Sequence, residues 1–226
     1  MKEPLDLLIF PGGGSPANPL YHQVYELLER EAKRVGYEEI YLLTWPGHCD
    51  KNGRFNGELT MEGAKYVAEK KILELEKSGK KYHVLGRSFG IIVALDCVDT
   101  LEVHNFTRLI LWGPPPYWLL WELFKKDFHE NKQKNESKGL NISGRFFEGV
   151  LPVEYLLKKM DVTTIVATGA EDTYSTPQFL HYLQNMYGYK YNLYFRWPIR
   201  GCKHEVTEAN PNWKEYIKAL FYEKFL

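Results

Sequence analysis

Lys81-Tyr82-His83-Val84-Leu85-Gly86-Arg87-Ser88-Phe89-Gly90-Ile91-Ile92-Val93-Ala94-Leu95-Asp96-Cys97-Val98 is the stretch on which the reading of this chain turns. It opens as a short apolar strand, Tyr82 to Leu85, and closes as a helix in which Ile92, Leu95 and Val98 recur at helical spacing. Between them lies Gly86-Arg87-Ser88-Phe89-Gly90, a G-x-S-x-G set on a strand-to-helix corner. So sharp a corner forces its central residue to positive φ and requires small residues two positions to either side. It also lifts the serine oxygen above the sheet, and it turns the free N–H groups of the helix start toward whatever the serine meets. The same five residues suit a tight glycine turn with an incidental serine, so the rest of the chain has to decide.

The frame around this stretch is that of one globular unit. At 226 residues the chain fits a single domain, 1–226. A chain of that length buries roughly 70% of its unfolded surface. Its 29 basic and 29 acidic side chains cancel, which gives no reason to expect nucleic acid or an anionic membrane as a partner. No apolar run approaches the length of a membrane span, and no signal-peptide pattern opens the sequence. Three cysteines, an odd number in a chain this long, read as free thiols in a reducing compartment, so a cytoplasmic setting is expected.

Outward from the central stretch, strand and helix alternate. Leu5 to Phe10 is a strand that runs into Pro11-Gly12-Gly13-Gly14-Ser15-Pro16. Leu20, Val24, Leu27, Leu28 and Val35 mark a helix stopped by Gly36. Ile40 to Trp45 is the second strand, followed by Pro46-Gly47-His48-Cys49 and a polar stretch to Thr60, a suitable N-cap. The helix after it, through Ala64, Val67, Ala68, Ile72 and Leu75, ends before Gly79. Beyond the central stretch come strands at Arg108–Trp112, Val162–Thr168 and Tyr191–Trp197. Thr176-Pro177 and Asn210-Pro211 each resemble an N-cap plus proline opening a helix. Such alternation implies a parallel sheet covered on both faces. Residues 117–160 break the rhythm with an aromatic-rich helix from Tyr117 to Phe128, a charged run, and a second apolar segment from Arg145 in which Pro152 suits a first helical turn. This insertion reads as a lid over the sheet edge, or as a long crossover connection.

A serine nucleophile needs a base to take its proton and an acid to orient that base. Among the seven histidines, His48 and His204 lie in loops that follow strands, where sites form in such sheets. Asp172 follows the fifth strand in Gly169-Ala170-Glu171-Asp172-Thr173-Tyr174. Ser88, Asp172 and His204 thus follow strands three, five and six in the chain order Ser, Asp, His.

On these residues the chain resembles the α/β-hydrolase fold family over nearly its whole length. The resemblance implies a six-stranded, mainly parallel sheet with helices on both faces and a small helical lid at about 117–160. The family's first two strands would be missing, and the order would wind outward both ways from strands one and three. It further implies Ser88 as nucleophile, His204 as base and then acid, and Asp172 as the orienting carboxylate. The backbone N–H of Phe89 and one from Gly12–Gly14, Gly13 foremost, would form the oxyanion hole. The expected activity is cleavage of a carboxylic ester or thioester through an acyl-serine, with a small-molecule acyl substrate and no cofactor. Acyl transfer on the same scaffold, or ligand binding with negligible turnover, are the alternatives. Three departures from the family stand out: Pro11 where many members have histidine, Ile91 where many have a second glycine, and Arg87 where histidine or an aromatic residue is more frequent. A tetrahedral metal site from His48, Cys49, Cys202 and His204 lacks the usual ligand spacing. The glycine loop lacks the lysine and serine or threonine of a phosphate loop.

Overall fold

The computed structural model describes residues 5–13, 18–50, 52, 54–124, 136 and 140–221. Six strands form one all-parallel sheet in the order β2-β1-β3-β4-β5-β6. They are β1 (Leu5–Phe10), β2 (Ile40–Leu42), β3 (Lys81–Arg87), β4 (Phe106–Trp112), β5 (Thr163–Ala167) and β6 (Leu193–Phe195). The order reverses between β1 and β3, and a crevice opens beyond the strand ends at such a point. Regular pairing in β2 and β6 is shorter than the apolar runs Ile40–Trp45 and Tyr191–Trp197. At these two edges each strand has a neighbour on one side only, and single hydrogen bonds from Leu43 to Ile9 and from Arg196 to Val166 carry the ladder one step further.

Seven helices are described: α1 (Pro19–Val35), α2 (Met61–Ser78), α3 (Phe89–Thr100), α4 (Tyr117–Phe124), α5 (Val153–Lys159), α6 (Pro177–Tyr187) and α7 (Trp213–Phe221). Strand side chains alternate between two cores. Leu7, Ile9, Leu85, Ile110 and Trp112 pack with α1 and α7, and Leu8, Phe10, Val84, Leu109 and Leu111 pack with α2, α3, α5 and α6. Every residue of α3 from Phe89 to Cys97 is buried. Each of its large aliphatic side chains is worth about 1.5–3 kcal/mol against exposure. The helix that starts at the Ser88 corner is therefore among the most firmly anchored parts of the fold.

Helix ends follow their local chemistry in most places. Thr60 and Thr176 accept from the N–H of Gly63 and Phe179, and Gly36 and Gly79 close α1 and α2 at positive φ. Two expectations are corrected. Asn210 caps no helix: its amide oxygen accepts from the Thr207 N–H, its amide group donates to the Gly201 carbonyl, and α7 begins only at Trp213. Pro152 stands at the N-cap of α5 rather than inside its first turn, its carbonyl accepting from the N–H groups of Tyr155 and Leu156.

The insertion is helical at Tyr117–Phe124, and the expected continuation to Phe128 lies outside the described residues. Its return limb is tied to the loop after β2. His48 bridges Leu140, Leu59 bridges Ile142, and Asn141 exchanges backbone hydrogen bonds with Gly47 and Leu59. Among the described residues no helix is long and apolar enough to cross a membrane, and no cluster of three His, Cys, Asp or Glu suits a metal ion.

Candidate active site

Register brings the site together. Phe10 pairs with Gly86, Arg87 with Trp112, and Trp112 with Ala167, so β1, β3, β4 and β5 end level with one another. The bridge between Gly169 and Ile199 carries this edge on toward the segment that leads to His204. The glycine loop, Ser88, Gly113, Asp172 and His204 therefore emerge side by side at the carboxyl edge.

Ser88 is the sole described residue other than glycine at positive φ, with φ 51° and ψ −122°. Such a conformation is costly for a residue with a Cβ and persists only where its surroundings enforce it. Here they do. The Ser88 N–H donates to the Trp112 carbonyl at 3.0 Å, and the chain enters α3 at once. Gly90 lies so close to β1 that a Cβ there would sit 2.2 Å from the Phe10 carbonyl oxygen. The second glycine of the G-x-S-x-G is thus demanded by contact with the neighbouring strand.

Asp172 and His204 meet directly. His204 Nδ1 lies 2.9 Å from Asp172 Oδ2, and both side chains are buried. The other carboxylate oxygen accepts from the N–H groups of Tyr174 at 2.8 Å and Ser175 at 2.7 Å, while the Thr168 hydroxyl, which donates to the Ser175 carbonyl at 2.5 Å, lies 3.2 Å from Oδ2. A carboxylate with both oxygens engaged cannot swing, and neither can the ring it holds. Gly113 lies against this pair: a Cβ at Gly113 would be 3.2 Å from the His204 ring and 3.4 Å from Asp172. Gly113 directly follows Trp112, whose carbonyl takes the Ser88 N–H, so the same strand end meets both the serine and the pair.

The glycine loop closes the other side. A Cβ at Gly12 would lie 3.2 Å from the Ser88 Cβ, so only a bare backbone passes so near. The Gly12 N–H donates to the buried Tyr25 hydroxyl at 2.8 Å. Gly13 is half-buried beside it, Phe89 opens α3, and Gly14 lies outside the described residues. Over the corner, Phe146 from the insertion packs on Phe89 with ring centroids 5.1 Å apart, and Phe147 meets Tyr117 and Trp121. Trp118 points largely to solvent.

His48, the other loop histidine, is kept away from this set. It packs edge-on against Tyr21, and among the described residues neither ring nitrogen has a hydrogen-bond partner. Burial pushes its pKa down to about 4. Four residues at the site escaped the sequence reading as contributors: Tyr25, Arg87, Thr168 and Gly113. Arg87 alone carried a signal, as a charged residue directly before the serine where many family members have histidine or an aromatic residue.

The parallel sheet with its reversal between β1 and β3, the strand-to-helix corner at Ser88 after β3 and the Asp172–His204 pair after β5 and β6 are the arrangement of the α/β-hydrolase fold. Neither a protein-family model nor any curated protein sequence matches the chain. Solved structures do. A monoacylglycerol lipase from Paleococcus ferrophilus superposes with TM-score 0.64 at 18% identity, over 96% of this chain and 93% of the lipase. An E-2-(acetamidomethylene)succinate hydrolase gives 0.65 at 12% identity, over 97% and 91%. An α/β serine hydrolase homologue from Coxiella burnetii gives 0.58 at 15% identity, over 97% and 84%. At these identities the likeness is one of fold.

Proposed function

We propose that this protein is a serine hydrolase that cleaves a carboxylic ester or thioester through an acyl-serine intermediate. The observation that carries the reading is the buried 2.9 Å contact between His204 and Asp172 beside a serine held at positive φ. With Nδ1 committed to Asp172, Nε2 is the nitrogen left to serve Ser88. It takes the Ser88 proton as Oγ attacks the substrate carbonyl, then gives that proton to the departing alcohol or thiol. Water next attacks the acyl-serine, passes a proton to the same nitrogen, and the acid leaves as Ser88 regains its hydrogen. The negative charge formed on the carbonyl oxygen at each attack is met by the N–H groups of Phe89 and Gly13, since that of Gly12 is taken by Tyr25. Phe89, Phe146, Phe147, Tyr117 and Trp121 supply an apolar wall suited to an acyl chain. The lipase among the structural neighbours agrees with an ester substrate.

The test is covalent labelling with a fluorophosphonate probe, followed by turnover of nitrophenyl esters of graded acyl length. Stoichiometric labelling is expected, lost in Ser88→Ala along with about 10⁴–10⁶-fold in turnover. A folded wild-type protein that is neither labelled nor active on any ester would instead favour ligand binding on this scaffold.

A further inference from the structure

We infer that Arg87 is a positioning residue that keys the base loop and the glycine loop to Ser88, an inference that rests on the serine-hydrolase reading above. Arg87 ends β3 directly before the serine and is only 5% exposed. A guanidinium removed from water costs several kcal/mol unless its surroundings repay it with contacts of good geometry. The partners found here belong to three different segments of the site.

Toward the base loop, Nη2 donates to the His204 backbone carbonyl at 3.2 Å and to the Glu205 carboxylate at 3.3 Å. His204 is thereby held at two points, its ring by Asp172 and its main chain by Arg87. Toward the glycine loop, a Cβ at Gly12 would fall 2.9 Å from Nη1, so that loop rests on the guanidinium edge. Tyr25, whose hydroxyl accepts the Gly12 N–H, lies under the same cation at 6.0 Å from ring centroid to Cζ. Toward the sheet, Arg87 stands 5.3 Å over the ring of Trp112, the residue whose carbonyl takes the Ser88 N–H. One planar cation thus spans nucleophile corner, base loop and oxyanion loop. Burial opposes its charge, yet Tyr25 and Glu205 hold it more firmly protonated than an ordinary arginine. A lysine would keep the charge but lose the rigid fork that reaches several segments at once.

The experiment compares Arg87→Lys, Arg87→Met and the isosteric Tyr25→Phe with wild type. Turnover and fluorophosphonate labelling rate are both expressed per titrated, folded site. Displacing catalytic groups by an ångström costs about 10²-fold, and a loss of that order in kcat is expected for Arg87→Met. KM should be little changed, the labelling rate should fall in parallel, and Arg87→Lys and Tyr25→Phe should show smaller losses of the same kind. A residue that only stabilised the fold would lower the melting temperature and leave kcat per titrated site intact. Should Arg87→Met fail to fold, Arg87→Lys and Tyr25→Phe decide. If wild type is labelled at Ser88 while both of these react at its rate, the positioning role is overturned and the hydrolase reading stands. If folded wild type is not labelled at all, the reading beneath the inference falls with it.

Discussion

Two histidines in this chain began on equal terms. His48 and His204 both sit in loops that follow strands, and both end up buried, 1% and 6% exposed. His204 has a carboxylate on one ring nitrogen, a guanidinium on its carbonyl and the bare backbone of Gly113 against its ring. His48 has an aromatic edge from Tyr21 and, among the described residues, no hydrogen-bond partner for either nitrogen. Burial alone makes a histidine neutral and inert, whereas burial with an oriented acid equips it to move a proton. The difference lies in what surrounds the ring.

The comparison can be broken most sharply by exchanging the two in function. His204→Ala is expected to lose about 10⁴–10⁶-fold in turnover, and Asp172→Asn about 10⁴-fold, with both variants folded. His48→Ala should retain turnover of the wild-type order in the same ester assay. Comparable losses at both histidines would remove the distinction. The glycine loop tests the other half of the site at a smaller scale. Gly13→Pro deletes an N–H and should cost about 10²–10³-fold in kcat while labelled, folded protein is still recovered. Gly13→Ala keeps that N–H and controls for the backbone restriction that proline adds.

The smallest effect is one of stability against pH. The folded pKa of His48 is depressed to about 4, below the roughly 6.5 of an unfolded histidine. Its contribution is therefore whole above about pH 6.5 and is lost as pH falls toward about 4, because only the unfolded chain takes up the proton. His83 is pushed down to about 3 by burial and then by Arg108, so it acts in the same direction. His48→Leu should flatten this acid slope, recovering on the order of 3 kcal/mol at its lower end, and urea midpoints across that range would show it. An unchanged slope would mean that the His48 ring is hydrated or paired in solution.

Much of this molecule is legible in its sequence. The β1 run Leu5–Phe10, apolar apart from Asp6, and the strand-to-helix glycine turn at Ser88 are local patterns, although what the serine does at that turn waited on the rest of the chain. Sheet order followed from alternation together with the family likeness. What escaped depends on contacts between distant segments. Arg87 looked like a departure from a pattern because its partners, Gly12, Tyr25 and Glu205, lie far from it along the chain. Asn210 was misread for the same reason: an Asn-Pro pair carries the local signature of a cap, while its actual partners, Thr207 and Gly201, are set by how the His204 loop folds back. Edge strands came out short because local propensity does not count neighbours.

The ties between residues 140–143 and the loop after β2 carry a consequence for how this protein breathes. Backbone hydrogen bonds link Asn141 with Gly47 and Leu59, and Ser143 with Leu59. Neither limb can be pulled loose without undoing the other. Opening of native structure proceeds in contiguous cooperative units, and here the unit joins the return limb of the insertion to the approach of α2, across some ninety residues of sequence. Amide exchange at Leu59, Asn141 and Ser143 should then proceed at one shared rate, distinct from that of α4, although α4 belongs to the same insertion.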